Sequence, residues 1–196
     1  MASADVVHLR PAGLERAAGV PSATLAVVLF VCCEVMFFAG LISAHTIDRA
    51  MVPVWPPLDQ PRLPIESTAF NTLVLLASGA LAVVAGRKAE RGDYTGAWRP
   101  MVAAFVAGLA FVGLQGVEWV QLLNQGLSLR ASAYGGFFYL VVGAHALHAM
   151  AGLIAYGAAL RGVALGTASR DQLLATRVYW MFVVALWPIL YWRVYL

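Results

Sequence analysis

Two acidic side chains, Glu34 and Glu118, lie inside long apolar stretches of the sequence. Glu34 is the only acidic residue of the segment 21–47 and lies near its middle. An ionised acid at bilayer depth costs roughly 2.5–3.5 kcal/mol. Because desolvation favours the neutral form, we expect Glu34 to be protonated at neutral pH. A site of proton exchange and a carboxyl group that only joins two helices are equally good interpretations of this residue.

Two histidines, His145 and His148, are three residues apart in another apolar stretch, and this spacing puts them on one face of a helix. Haem ligation usually takes one axial histidine from each of two helices, and a metal site needs three or four converging ligands. Glu34 and Glu118 could complete a metal site. A buried hydrogen-bonded network between helices is the better interpretation, and we expect it to contain Glu118, Gln115, His145 and His148.

Three other polar residues are candidates for contacts with lipid or with neighbouring helices. They are His45, Asn71 and Arg177. The adjacent Cys32 and Cys33 have no metal-binding spacing. The sequence contains no phosphate-binding loop, dinucleotide fingerprint or serine hydrolase elbow. We therefore predict neither a catalytic residue nor a metal ligand in this chain.

The elements that must position these residues are membrane-spanning helices. The chain is 61% hydrophobic and 12% charged, whereas a soluble domain has about 25% charged residues. Five apolar stretches approach or exceed the roughly 20 residues that span a bilayer. Since backbone in lipid must satisfy its own hydrogen bonds, we predict an all-α bundle after an N-terminal segment, 1–21. The transmembrane domain would be 22–196, with helices at about 22–47, 68–86, 98–123, 132–160 and 172–195.

The basic residues indicate the orientation of this bundle. Eight lie in segments on the side of the N-terminus and four on the opposite side, and the more basic side is generally cytoplasmic. The bias predicts a cytoplasmic N-terminus and an outer C-terminus. Membrane topology therefore explains the net charge of +3 better than nucleic-acid binding does. Aromatic residues near the predicted helix ends suggest an interfacial belt: Trp98, Tyr179, Trp180, Tyr191, Trp192 and Tyr195.

Six motifs, in order and in register from about 25 to 195, resemble the cytochrome c oxidase subunit III family. They are FVCCEVMFFAGLISA at 30–44, VWPP at 54–57, FNTLVLLASG at 70–79, GLQGVEW at 113–119, YGGFFYLVVGAHALHAMAGL at 134–153 and YWMFVVALWPILY at 179–191. Each motif alone is moderately specific. Six of them together identify the chain as a member of this family.

The resemblance implies a non-catalytic subunit III of a haem–copper terminal oxidase, which stabilises the catalytic subunit I and supports its proton uptake. Haem and copper would belong to partner subunits, and this chain would bind neither. Its other partners would be subunit II, phospholipid and, where the assembly has one, a small subunit IV, in the bacterial cytoplasmic (inner) membrane. The family residue that matches Glu34 reacts with carbodiimides, so the resemblance implies a buried neutral acid.

The sequence also departs from the family pattern. The long form of the family has seven helices, and this chain resembles the five-helix form found in quinol oxidases and beside nitric oxide reductases. Met181 and Val184 stand where the last helix usually has a histidine and an aspartate, and Ala146 replaces a glycine. An accessory subunit or scaffold of a quinol oxidase, a nitric oxide reductase or another respiratory assembly is therefore the alternative function.

Overall fold

The computed structural model describes residues 22–57, 60–130 and 132–196. These residues form five α-helices, followed by one π-helical turn at Tyr191–Tyr195. The helices are α1 (Ser22–Met51), α2 (Ile65–Glu90), α3 (Tyr94–Asn124), α4 (Ala133–Ala164) and α5 (Arg170–Leu190). Each is long and apolar enough to cross a bilayer. This confirms the prediction of an all-α, multi-pass membrane protein, while the predicted N-terminal segment, 1–21, lies outside the described residues.

Each helix extends beyond its predicted range at one or both ends, and polar residues cap the first turns of α3, α4 and α5. Asp93, Ser132 and Ser169 each accept a hydrogen bond from a backbone N–H three residues further on. Such caps satisfy N–H groups that have no partner within the helix. α2 begins directly after Pro64. Residues that the sequence analysis assigned to connections therefore belong to the ends of helices.

α5 is the central helix, since it contacts α1, α2 and α4. α2 and α3 pack closely together, and α3 also contacts α4. In the part of the chain that the structure describes, the main contacts of α1 are with α5, α4 and the π-helical turn, and its buried residues are Thr24, Phe38 and His45. Most of its apolar surface therefore faces away from the bundle.

Two tryptophans of α5 join this helix to α2. The indole N–H of Trp180 donates to the hydroxyl of Ser78 at 3.1 Å, and that of Trp187 donates to the hydroxyl of Thr72 at 2.9 Å. Both indoles are fully buried. The assignment of Trp180 to an interfacial belt was therefore wrong.

The Trp180 ring fits into the core because two glycines leave room for it. A Cβ at Gly108 would lie 2.8 Å from the Trp180 ring, and a Cβ at Gly152 would lie 2.9 Å from it. The belt assignment was also wrong for Tyr195, which is buried and has its hydroxyl 3.1 Å from Gln115 Nε2. Small residues and buried hydrogen-bonding partners, rather than distance from a helix end, decide where these aromatic rings lie.

α1 is attached to α5 at one end and to the π-helical turn at the other. At one end, Asp171 of α5 accepts hydrogen bonds from the backbone N–H groups of Ala23 and Thr24. At the other end, Arg193 donates to the hydroxyl of Thr46 at 2.9 Å. Asp171 thus caps a helix that begins almost 150 positions earlier in the chain. Sequence patterns did not reveal this cap because they are read from neighbouring residues.

Candidate functional site

Glu34 and His148 form a pair between the middles of α1 and α4. Glu34 Oε2 lies 2.9 Å from His148 Nε2. The other ring nitrogen, His148 Nδ1, lies 2.7 Å from the carbonyl oxygen of Ala144, one turn earlier on α4. The two side chains are 17% and 16% exposed. The tertiary structure therefore gives the acid of α1 a specific partner, which the sequence analysis did not assign to it.

Aromatic rings surround this pair. Phe30 stacks on the His148 ring at a centroid distance of 6.5 Å, and Phe38 and Phe182 meet it edge-on at 5.2 and 6.3 Å. The hydroxyl of Tyr179 donates to the backbone carbonyl of His148 at 3.3 Å. These groups exclude water from much of the site, so an ionic charge there is solvated poorly.

Glu34 has little polar support besides the histidine. Within the described residues, His148 is the only hydrogen-bonding partner of the Glu34 carboxyl group. Burying two ions costs several kcal/mol for each, and their attraction offsets this only when further hydrogen bonds support them.

Glu118 lies in a separate cluster between α2 and α3. Its Oε1 lies 2.8 Å from the hydroxyl of Ser67, and its Oε2 lies 2.9 Å from the hydroxyl of Thr68. Gln115 Nε2 donates to Oε2 at 3.0 Å. Glu118 is buried. Ser67 and Thr68 were missed by the sequence analysis because they lie at the start of the predicted helix 68–86, directly after a segment that contains Pro61 and Pro64.

Gln115 extends this cluster to two further elements. Its Nε2 also donates to the hydroxyl of Tyr195 in the π-helical turn at 3.1 Å, and its Oε1 accepts from Asn71 Nδ2 on α2 at 3.1 Å. Asn71, a predicted contact residue, is buried and also donates to the carbonyl of Phe111. The cluster therefore joins α2, α3 and the end of the chain, as expected of a structural network.

His145 belongs to neither group. It is fully buried, and neither ring nitrogen has a hydrogen-bonding partner among the described residues. Its ring centroid lies 4.9 Å from that of Trp187 and 6.2 Å from that of Phe111. The four residues assigned to one network are thus divided: Gln115 and Glu118 bond to each other, His148 bonds to Glu34, and His145 packs among aromatic rings.

The remaining candidates contact other parts of the protein. His45 is buried beside Trp55, with ring centroids 5.5 Å apart. Arg177 forms an ion pair with Glu90, and its side chain lies directly over Gly86. In the described ranges no group of three or more His, Cys, Asp or Glu residues is arranged to hold a metal ion.

The last helix has an apolar contact where the family pattern has an aspartate. Val184 is buried and packs against Gly79 of α2, where a Cβ would lie 2.7 Å from Val184 Cγ1. Met181 is half-buried. α2 and α5 are therefore joined at this depth by close packing.

Comparisons with known proteins agree with the sequence motifs. The family model described as Cytochrome c oxidase subunit III matches residues 13–196. "Probable cytochrome c oxidase subunit 3" of Mycobacterium leprae (strain TN) is 37% identical over 172 residues, covering 86% of this chain and 84% of the relative. "Cytochrome c oxidase subunit 3" of Corynebacterium diphtheriae is 30% identical over 174 residues, with the same coverage of each chain. That of Allomyces macrogynus is 30% identical over 182 residues, covering 88% of this chain and 65% of the relative.

Proposed function

Because this chain belongs to the cytochrome c oxidase subunit III family, we propose that it stabilises the catalytic subunit of a haem–copper oxidase and sustains proton uptake into it. It is a multi-pass membrane subunit of that oxidase and has no redox centre of its own. The proposed neighbours are subunit I, subunit II, phospholipid and, where the assembly has one, a small subunit IV. The haem and copper would lie in those partner subunits.

The Glu34–His148 pair is the observation that supports this proposal. It brings a carboxyl group and an imidazole together at mid-helix, with both side chains about one-sixth exposed. Among the described residues, few pack against α1, and most of its apolar surface is exposed. An acid that only joined α1 to α4 would not need any exposure to lipid or to a partner subunit. We propose that this face contacts the catalytic subunit or its bound lipid.

Labelling of the intact oxidase in membranes with dicyclohexylcarbodiimide tests the state of Glu34. We expect the modification at Glu34 and its loss in Glu34→Gln. Glu118 serves as an internal comparison, because it is buried and its carboxyl oxygens contact Ser67, Thr68 and Gln115. Modification of another acid, with Glu34 unmodified in native accessible protein, would contradict the proposal.

Endurance of the oxidase during turnover tests the role of Glu34 in proton uptake. We expect Glu34→Gln to retain initial activity and to inactivate after fewer turnovers than the wild type. Glu66→Gln is the matched control, since Glu66 is an exposed acid in the first turn of α2. Equal endurance of all three proteins would contradict a role in proton uptake.

We place the protein in the bacterial cytoplasmic (inner) membrane, with the N-terminus in the cytoplasm and the C-terminus outside. The distribution of basic residues supports this orientation, and the bacterial relatives support the location. A reporter enzyme that is active only outside the cytoplasm should be active when fused to the C-terminus. Activity of a cytoplasm-specific reporter there would reverse the orientation.

The alternative function is that of a scaffold in a quinol oxidase, a nitric oxide reductase or another respiratory assembly. The apolar contact of Val184 with Gly79 supports it, because α5 holds a packing residue where the family pattern has an acid. Identification of the large subunit that co-purifies with the chain discriminates between the assemblies. A partner with a dinuclear copper site indicates cytochrome c as the electron donor, and a partner without one favours quinol.

A further inference from the structure

The hydrogen bond between His148 Nδ1 and Ala144 fixes which nitrogen of the ring carries a proton. A carbonyl oxygen only accepts hydrogen bonds. At a separation of 2.7 Å, Nδ1 must therefore be the donor. In the neutral ring this leaves Nε2 without a hydrogen, as an acceptor that faces Glu34.

The contact between Nε2 and Glu34 Oε2, 2.9 Å long, then requires one shared proton. If that proton were absent, a carboxylate oxygen and an unprotonated nitrogen would face each other with their lone pairs. If it lay on the nitrogen, the pair would be a carboxylate beside an imidazolium. If it lies on the carboxyl group, both residues are neutral and the hydrogen bond is complete.

We propose that His148 is a positioning residue that keeps Glu34 protonated, with the shared proton on Glu34 Oε2 and the lone pair of Nε2 as its fixed acceptor. The apolar rings of Phe30, Phe38 and Phe182 favour this neutral arrangement over separated charges. Loss of the shared proton is opposed, because the lone pairs of Glu34 Oε2 and His148 Nε2 would then face each other. The backbone of α4 thus determines the protonation of an acid on α1.

This inference rests on the proposed function for the importance of Glu34, but its test does not depend on oxidase activity. Infrared spectra of the intact oxidase are compared for the wild type and Glu34→Gln. The difference should contain the C=O stretch of a protonated, hydrogen-bonded carboxyl group. Carboxylate bands in place of that C=O band would overturn the inference.

Variants of His148 test whether the ring is the acceptor. In His148→Leu the C=O band should move to higher frequency, since the acid loses its acceptor. His148→Gln should return the band towards the wild-type position, because the amide oxygen of the new side chain can accept the same proton. A band that His148→Leu does not move would overturn the role of the ring.

Histidine labelled with ¹⁵N provides a measurement that needs no destabilising variant. In the wild-type oxidase, the His148 signals should show a protonated Nδ1 and an unprotonated Nε2. An imidazolium, or a neutral ring protonated at Nε2, would contradict the inference. If the spectroscopy succeeds while Glu34→Gln has normal turnover endurance, the proposed role in proton uptake fails and the inference about His148 stands.

Discussion

Asp171 of α5 accepts hydrogen bonds from the hydroxyl and the backbone N–H of Thr24, at 2.7 and 3.0 Å, and thereby caps the first turn of α1. A helix cap usually comes from a residue next to the helix in sequence. Here it comes from a neighbouring helix, so one carboxyl group both satisfies N–H groups of α1 and attaches α1 to α5. The attachment is important because α1 carries Glu34 and has few buried residues.

Asp171→Ala should weaken this attachment. The loss of an N-cap costs about 0.5–2 kcal/mol, and here the cap also connects two helices. We expect faster hydrogen exchange at the backbone N–H groups of Ala23 and Thr24, measured by mass spectrometry. The control is Asp93→Ala, which removes the N-cap of α3, a cap that comes from the residue directly before its own helix. Unchanged exchange in α1 of Asp171→Ala would show that the cap does not hold this helix.

Gly108→Ala should destabilise the bundle. Its new Cβ would lie 2.8 Å from both the Trp180 ring and the Leu153 side chain, and overpacking of this kind typically costs about 1–3 kcal/mol. The gain in helix propensity from Gly to Ala, about 1 kcal/mol, offsets only part of this. Thermal unfolding of the detergent-solubilised oxidase measures the effect.

Gly113→Ala is the matched control, because Gly113 lies on the same helix and a Cβ there would have no neighbour within 4 Å. It should leave the unfolding temperature unchanged or raise it slightly. If both variants behaved alike, close packing of Trp180 against α3 would not limit stability.

Glu118→Leu should be among the most destabilising changes in the polar cluster. It leaves the donors Ser67, Thr68 and Gln115 without their acceptor, and an unsatisfied buried donor costs about 1–3 kcal/mol. The hydroxyl groups of Ser67 and Thr68 can donate to the carbonyl oxygen of Pro64 instead, since both already lie within hydrogen-bonding distance of it. The main loss of hydrogen bonding therefore falls on Gln115. We expect a lower unfolding temperature.

Glu118→Gln keeps an oxygen acceptor and the shape of the side chain, so it should recover much of the stability lost in Glu118→Leu. The same unfolding measurement separates the two variants. Equal losses in both would indicate that a negative charge, rather than hydrogen bonding, stabilises this cluster.

His145→Leu should leave stability unchanged or increase it. Within the described residues the ring nitrogens have no hydrogen-bonding partner, and an apolar side chain of similar size removes that penalty. The comparison is His148→Leu, which removes the contacts with Glu34 and Ala144. A large loss of stability in His145→Leu would reveal a polar partner for that ring in the assembled oxidase.

The sequence by itself determined that the described part of this chain holds five helices long and apolar enough to cross a membrane, and the order of its motifs determined its family. Both are local properties: a long apolar stretch must be helical in lipid, and a motif is recognised without knowledge of its neighbours. The cost of a mid-membrane charge also singled out Glu34 before any partner was known.

The tertiary structure alone decided which polar residues meet. His145 and His148 share a helical face in the sequence, yet one packs against Trp187 and the other bonds to Glu34. The aromatic residues near helix ends likewise gave no sign that Trp180 is buried. The physical reason is that lipid and the core of the bundle are both apolar. Hydrophobicity therefore does not mark the buried side of these helices, and only their packing determines the partners.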